Sequence, residues 1–256
     1  MRVSINCPSY KRPKVETLEY LTDCKVWVAE NEYADYVKQN DPKNIIKVDN
    51  SIQGNVCRIR NHIIKEEIKN GYDVVCIVDD DLKGVYYWEK LKDHKVENKN
   101  FKNFLIKYTI LAQDIGAKLW GINVNKDKQV YREYSPFSTV SYLGAPFQVF
   151  LKDNNCWYDE RLPLKEDYDM TLQQLNRNRV ALRVNKYYYN VKQSEQSGGC
   201  ASYRNYKEEK RQLELLQKKW GKDIVKVDQS NRSHNLKKKK TKIDYNPVIK
   251  PPIKGI

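Results

Sequence analysis

The sequence predicts an α/β domain built on a mixed sheet with flanking helices, and three observations carry that prediction. Strand-like apolar segments alternate with helical ones through the first 80 residues. The segment Val74, Val75, Cys76, Ile77, Val78 is apolar at every position, as in a strand buried on both faces of a helix-covered parallel sheet. The chain then runs directly into three carboxylates, Asp79, Asp80 and Asp81. In open α/β sheets ligands bind outside the carboxyl ends of the strands, so the acids stand where a site is expected.

Taken in order, residues 2–9 (RVSINCPS) alternate apolar and polar positions into a Pro-Ser turn, which reads as a first strand and its exit. Residues 15–23 (VETLEYLTD) form a short helix, 25–30 (KVWVAE) a second strand and 44–49 (NIIKVD) a third. Residues 55–71 (NVCRIRNHIIKEEIKNG) put Val56, Ile59 and Ile63 on one helical face and close on Gly71. The apolar strand at 74–78 completes a β-α-β-α-β-α-β order, which requires crossover helices and parallel pairing. Beyond it the pattern changes. Residues 101–116 are helical, 118–125 a strand, 137–154 hairpin or meander material, 164–178 a helix, 180–193 a strand and 206–221 a last amphipathic helix. There is no internal repeat and no G-x-x-x-x-G-K-[ST] loop, which disfavours P-loop nucleotide chemistry.

A chain of 256 residues suits one domain, over 1–221, followed by a basic C-terminal tail at 222–256. The formal net charge is +14, and the segment from Lys222 to Ile256 holds ten Lys or Arg against three Asp, half of the excess. That segment contains NLKKKKTK and ends rich in proline, so it reads as flexible or loosely docked; a polyanion-binding role and a solubilising role are equally open. Nineteen tyrosines and five tryptophans suit a polyanion with stackable bases, and equally a tyrosine-rich core. No stretch approaches the ~20 apolar residues of a membrane span. The N-terminus begins a strand at once, leaving no room for a signal peptide. Six cysteines are scattered without a CxxC pair and read as reduced thiols. The expected location is cytoplasmic, that of the host cell if the protein is phage-encoded.

Three adjacent carboxylates repel one another and stay together only where water, a cation or basic side chains hold the charge. A divalent metal is one option; a solvated turn leading into Lys83 and Gly84 is the other. Four more features lie in an informative order around the acids. The first strand exits into CPSYKRP, the second ends in VAENEY, a helix begins GNVCRIRN, and a later helix begins KEDYD. Asp and Glu in a first helical turn stabilise the macrodipole whether or not they do chemistry.

This ordered set resembles glycosyltransferases of the GT-A fold, a Rossmann-like nucleotide-sugar-binding architecture, over roughly residues 2–200. The resemblance implies that Asp79 and Asp81 are the Asp-x-Asp pair holding Mn²⁺ or Mg²⁺ on the donor diphosphate, with Asp81 in direct contact and Asp79 nearer the ribose. It implies that Pro8, Ser9, Tyr10, Lys11 and Arg12 wrap the base and ribose, that Glu30 meets the base edge, that Arg60 and Asn61 face the donor phosphates or sugar, and that Asp80 also belongs to the donor site. Read without it, Pro8 is turn punctuation, Glu30 a surface acid and Arg60 one half of a surface salt bridge. It further assigns Asp167 as general base, with Glu166 positioning the acceptor and Asp169 in reserve, and so implies inversion at the anomeric carbon. One departure stands out: the late histidine ligand of many such enzymes is missing, since the chain has only His62, His94 and His234. Gln193, Ser194 or water stands in its place. SGG at 197–199 reads as a loop over the donor or as a linker.

The segments GAPFQVFLKDN, WYDERLPLKEDYDMTLQ and SGGC most resemble the TET-associated glycosyltransferases, a phage-rich GT-A family linked to sugar addition on hydroxymethylated pyrimidines in DNA. That implies a nucleotide-sugar donor, UDP-linked by fold, and a DNA acceptor, with which the basic tail agrees. Trp120, Tyr142, Phe147, Trp157 and Tyr168 are candidates for the acceptor side or for the core. Two other readings compete: a transferase acting on a surface glycan or protein, and a nucleic-acid-binding protein on a degenerate transferase scaffold. The intact Asp79, Asp81 and Asp167 argue against the second.

Overall fold

The computed structural model describes residues 1–90, 92–124, 126–127, 131–191, 199–228 and 244–254. Strands β1 (Val3–Pro8), β2 (Lys25–Ala29), β3 (Ile45–Val48) and β4 (Val74–Val78) pair in parallel in the order β3-β2-β1-β4. Crossovers through α1 (Thr17–Tyr20), α2 (Tyr33–Val37) and α3 (Val56–Lys69) join them. Every residue of β4 is buried, and its alternation divides the core in two. Val74, Cys76 and Val78 face a cluster with Phe101, Phe104, Leu105 and Tyr108 of α4 (Asn98–Asp114). Val75 and Ile77 face the opposite cluster, with Ile59 and Ile63 of α3 and Met170 and Leu175 of α5 (Glu166–Asn178). This is the two-sided burial that the apolar run at 74–78 requires.

After the acids the chain does not settle into a simple turn. Leu82 begins β5 (Leu82–Glu89), which pairs with β6 (Lys92–Lys95), and neither strand is apparent from the sequence. The expected hairpin or meander at 137–154 is corrected. Residues Phe137–Ser138 form β8, which pairs with β10 (Leu182–Val191). Residues Phe147–Leu151 form β9, inserted antiparallel between β4 and β7 (Leu119–Asn123). Among the described residues the full sheet runs β3-β2-β1-β4-β9-β7-β10-β5-β6, with β8 at the side. Helix α6 (Tyr206–Trp220) stands where expected.

The described parts of 222–256 are docked rather than loose. β11 (Val225–Asp228) and β12 (Asp244–Ile249) pair antiparallel, and Val225, Val227, Tyr245 and Ile249 pack with Leu213 and Leu216 of α6. The Lys250 amide donates to the Ile224 carbonyl at 2.7 Å. Val225 and Val227, spaced by Lys226, together with Tyr245 and Ile249 give these strands an apolar side that needs covering. The NLKKKKTK run lies outside the described residues.

Candidate active site

The carboxyl ends of β1 and β4 and the start of α5 open onto one cavity of about 550 Å³. Pro8, Ser9, Tyr10, Arg12, Arg60, Asp79, Asp80, Asp81, Glu166 and Asp167 all line it, so ten of the predicted residues, drawn from separated segments, meet in one place. Two do not. Glu30 is exposed at the exit of β2, 3.9 Å from Lys47, and does not line the cavity. β2 lies two strand positions from β4, roughly 10 Å away. Asn61 spends both ends of its amide on the chain at Tyr158: its Nδ2 donates to that carbonyl and its Oδ1 accepts from that amide, each at 2.9 Å. One residue along a helix is a turn of roughly 100°, so Arg60 and Asn61 cannot share a target.

The three aspartates have three different environments. Asp80 is buried; its carboxylate accepts from Ser9 Oγ at 2.6 Å and pairs with Arg12, locking the loop after β1 to the end of β4. Burial pushes its carboxyl up, against the pull of Arg12. Asp79 accepts from Arg60 Nη2 at 2.7 Å. Asp81 is buried, and no basic side chain among the described residues forms an ion pair with it. Burial first, then the charges of Asp79 and Asp80, push it up to about 7. A nearly buried carboxylate beside two others, with no ion-pair partner among the described residues, fits a hard divalent cation such as Mn²⁺ or Mg²⁺. Among the described residues no three His, Cys, Asp or Glu side chains form a complete metal cage. A cation here would need ligands beyond these carboxylates, of the kind that phosphate and water supply. Gln193 and Ser194, expected near a further ligand position, lie outside the described residues.

Arg60 joins the two halves of the cavity. Its side chain is only 2% exposed; besides Asp79 it donates from Nη1 to Glu166 at 3.3 Å, and its Nε is buried without a partner. Burial and the neighbouring Asp167 push the Glu166 carboxyl up despite Arg60. Asp167 accepts from the Tyr142 hydroxyl and the Ala145 amide (3.2 Å) on Oδ2, and from the Tyr168 amide on Oδ1 at 2.9 Å. At the preceding Gly144 there is no room for a side chain, because a Cβ there would stand 2.7 Å from Val124 and against the Tyr189 hydroxyl. Asp169, the reserve base, is excluded from the cavity. It is fully buried on the far side of α5, held by Lys219 (2.8 Å), Trp220 Nε1 (2.7 Å) and Gln173 (2.7 Å).

Of the five candidate aromatics, Trp120 and Phe147 are core, and Trp157 lies outside the cavity under Lys65. Tyr142 and Tyr168 stack at 4.4 Å and both line it. Sequence reasoning missed several lining residues. Gln53 is buried and bonds the carbonyls of Ser9 and Trp27 (3.0 and 2.9 Å). Asn55 caps α3. Asn246 of β12 lines the cavity and lies 3.4 Å from the buried Lys165 Nζ, which also pairs with Glu209. Only Asn55, following Gly54 at φ 81°, left a signal, that of a helix start. Gly199, the described end of SGG, donates to the Tyr10 carbonyl at 2.9 Å. All six cysteines are free thiols, five of them buried. No described helix is long and apolar enough to cross a membrane.

The family model of the TET-associated glycosyltransferases matches residues 18–199. Among solved structures, residues 1–349 of TarS from S. aureus align with a TM-score of 0.45 and 14% identity, covering 87% of this chain and 73% of that one. A197 from STIV aligns at 0.41 and 12%, covering 77% and 89%. A cytidylyltransferase from Leptospira borgpetersenii aligns at 0.42 and 13%, covering 86% and 95%. No curated protein matches the chain.

Proposed function

The chain belongs to the TET-associated glycosyltransferase family, and from that premise we propose that this nucleotide-sugar glycosyltransferase moves a sugar from a UDP-linked donor to a hydroxymethylated pyrimidine in DNA. The observation that carries the proposal is the meeting in one cavity of the β4 aspartates, which suit a donor diphosphate with its cation, and Asp167, which suits an attacking hydroxyl. Family membership sets aside the reading as a mere binding protein. The basic segment, with six Lys or Arg and no acid between residues 229 and 243, favours DNA over a glycan.

In the proposed reaction Ser9, Tyr10 and Arg12 hold the nucleoside end of the donor, in a loop fixed by the bonds to Asp80. Asp81 and Asp79 would hold a Mn²⁺ or Mg²⁺, which would supply Lewis-acid stabilisation to the departing diphosphate. The acceptor oxygen attacks the anomeric carbon, the bond from that carbon to the diphosphate oxygen breaks with its electron pair, and the hydroxyl proton passes to Asp167. A single in-line displacement inverts the centre. Arg60 keeps Asp79 and Glu166 in register, so the donor and acceptor sides stay aligned. Mass spectrometry of hydroxymethylcytosine-containing DNA incubated with the protein, Mn²⁺ and a panel of nucleotide sugars tests the proposal. A hexose-sized mass gain on the modified base that depends on Mn²⁺ is expected. Transfer to glycan acceptors alone would overturn the DNA assignment.

A further inference from the structure

Tyr142 and Tyr168 form a nearly parallel pair, with ring centroids 4.4 Å apart and an interplanar angle of 21°. They come from different parts of the fold, the chain before β9 and the first turn of α5, and both line the cavity. Tyr168 is backed by the apolar cluster of Leu162, Leu172, Leu213 and Leu216, which leaves it little freedom. Tyr142 belongs to none of the three apolar clusters. A half-buried tyrosine, stacked on a fixed ring and open to a cavity, offers a planar surface already held in place. Its hydroxyl is also engaged, donating to Asp167 Oδ2, where the Ala145 amide converges as well. Ring and carboxylate are therefore rigidly related.

Resting on the DNA reading above, we infer that Tyr142 is the acceptor-base platform: its ring, supported by Tyr168, takes the pyrimidine by stacking, and its hydroxyl, bonded to Asp167 Oδ2, fixes that carboxylate at the ring's margin. The chemistry of the acceptor fits this arrangement. A hydroxymethyl group projects one carbon from the edge of a pyrimidine. A base lying on the Tyr142 ring thus brings its hydroxyl to the ring's margin, where the tyrosine's own oxygen already meets Asp167. The surface is recessed, so a base in a duplex reaches it only after leaving the stack, as in other enzymes that act on bases. Stacking also explains how one pocket could accept the base without reading its whole hydrogen-bonding edge, because every base has a π-face.

Two variants separate ring from hydroxyl. Tyr142→Phe keeps the ring and removes the hydroxyl; Tyr142→Leu removes both. Binding of a duplex carrying one 5-hydroxymethylcytosine is measured by fluorescence anisotropy, with UDP–Mn²⁺ affinity as the check of fold. The phenylalanine variant should stay within about twofold of the native protein, and the leucine variant should lose roughly 5- to 150-fold, the range for one stacked base. In saturation-transfer NMR with free 5-hydroxymethyl-2′-deoxycytidine, aromatic protein protons should saturate the base H6 more than the deoxyribose H1′. Unchanged duplex affinity in Tyr142→Leu overturns the platform and leaves the DNA reading standing. If native protein binds neither duplex nor nucleoside, the DNA reading itself fails. Should Tyr142→Leu lose UDP–Mn²⁺ binding, the native NMR result decides, and saturation confined to the deoxyribose overturns the platform.

Discussion

In the folded protein the Asp81 carboxyl is pushed up to about 7 by burial and then by its two acidic neighbours, whereas in an unfolded chain it titrates near pH ~4. The folded form thus keeps a proton that the unfolded form releases between roughly pH 4 and 7. The stability this group contributes is present below about pH 4 and lost as pH rises through about 7. A cation at the site takes the place of that proton. Mn²⁺ affinity, measured calorimetrically with UDP, should therefore rise with pH up to about 7, with close to one proton released per ion well below that pH, and level off above it, where the release vanishes. Asp81→Asn should abolish both the binding and its pH dependence; native-like Mn²⁺ affinity in that variant would remove Asp81 as a ligand. Arg60 allows a second test. Its guanidinium holds two carboxylates at once, a task for a planar fork rather than a point charge. Arg60→Met should cost on the order of 3 kcal/mol in urea unfolding, because it leaves the buried Glu166 and the partly buried Asp79 unpaired. The destabilisation is limited because Glu166, already pushed up, can take a proton. Arg60→Lys should recover much of the stability but little of the transfer rate, and full recovery of both would show that charge alone suffices.

At the scale of elements, α5 works with two faces. Its first turn gives Glu166 and Asp167 to the cavity, while Asp169, two residues on, turns away and clamps α6 through Lys219 and Trp220. Asp169→Asn should lower stability by about 1 kcal/mol, since Lys219, partly exposed, loses one partner but keeps Asp159 at 3.0 Å, and Tm by roughly 2–4 °C for a chain of this length. UDP–Mn²⁺ binding in the cold should persist. A variant with unchanged Tm but no transfer would return Asp169 to the chemistry. The sequence could not separate Asp167 from Asp169, because both suit the first turn of a helix and only the packing of α6 decides which one turns inward. The parallel half of the sheet was legible for the opposite reason: in β1 to β4 local apolar pattern and crossover topology agree. β5 escaped notice because Lys83-Gly84 resembles a turn, yet Gly84 fits a strand where the Lys95 and Tyr86 side chains crowd its face. β9 is as buried as β4, and nothing local reveals that it enters antiparallel between two strands distant in sequence. Glu30 and Asn61 were misplaced because a motif gives order along the chain but not the direction of each side chain.

The whole molecule combines a strongly positive charge with an acidic cavity, and the C-terminal segment links the two. Its described strands are structural: Tyr245 and Ile249 pack with α6, Ile253 packs on the core facing α3, and Asn246 lines the cavity. Removing everything after residue 231 would strip that support and confuse loss of fold with loss of DNA affinity. Asp228 and Asp244 are paired across β11 and β12, so the intervening 229–243, which holds Arg232, Lys237, Lys238, Lys239, Lys240 and Lys242, can be replaced by a short Gly-Ser turn with both strands kept. UDP–Mn²⁺ binding should persist, since every described cavity-lining residue is kept. On duplex DNA each phosphate that a lysine or arginine neutralises adds about 0.9 to the steepness of log K against log salt, so the replacement should flatten that dependence by up to about 5 if all six cations engage phosphates. Affinity should fall most at low salt and converge with that of the native protein at high salt, where counterion release no longer favours binding. An unchanged slope would show that the lysines do not touch the DNA backbone and that DNA affinity, if present, comes from the cavity and the surface around it.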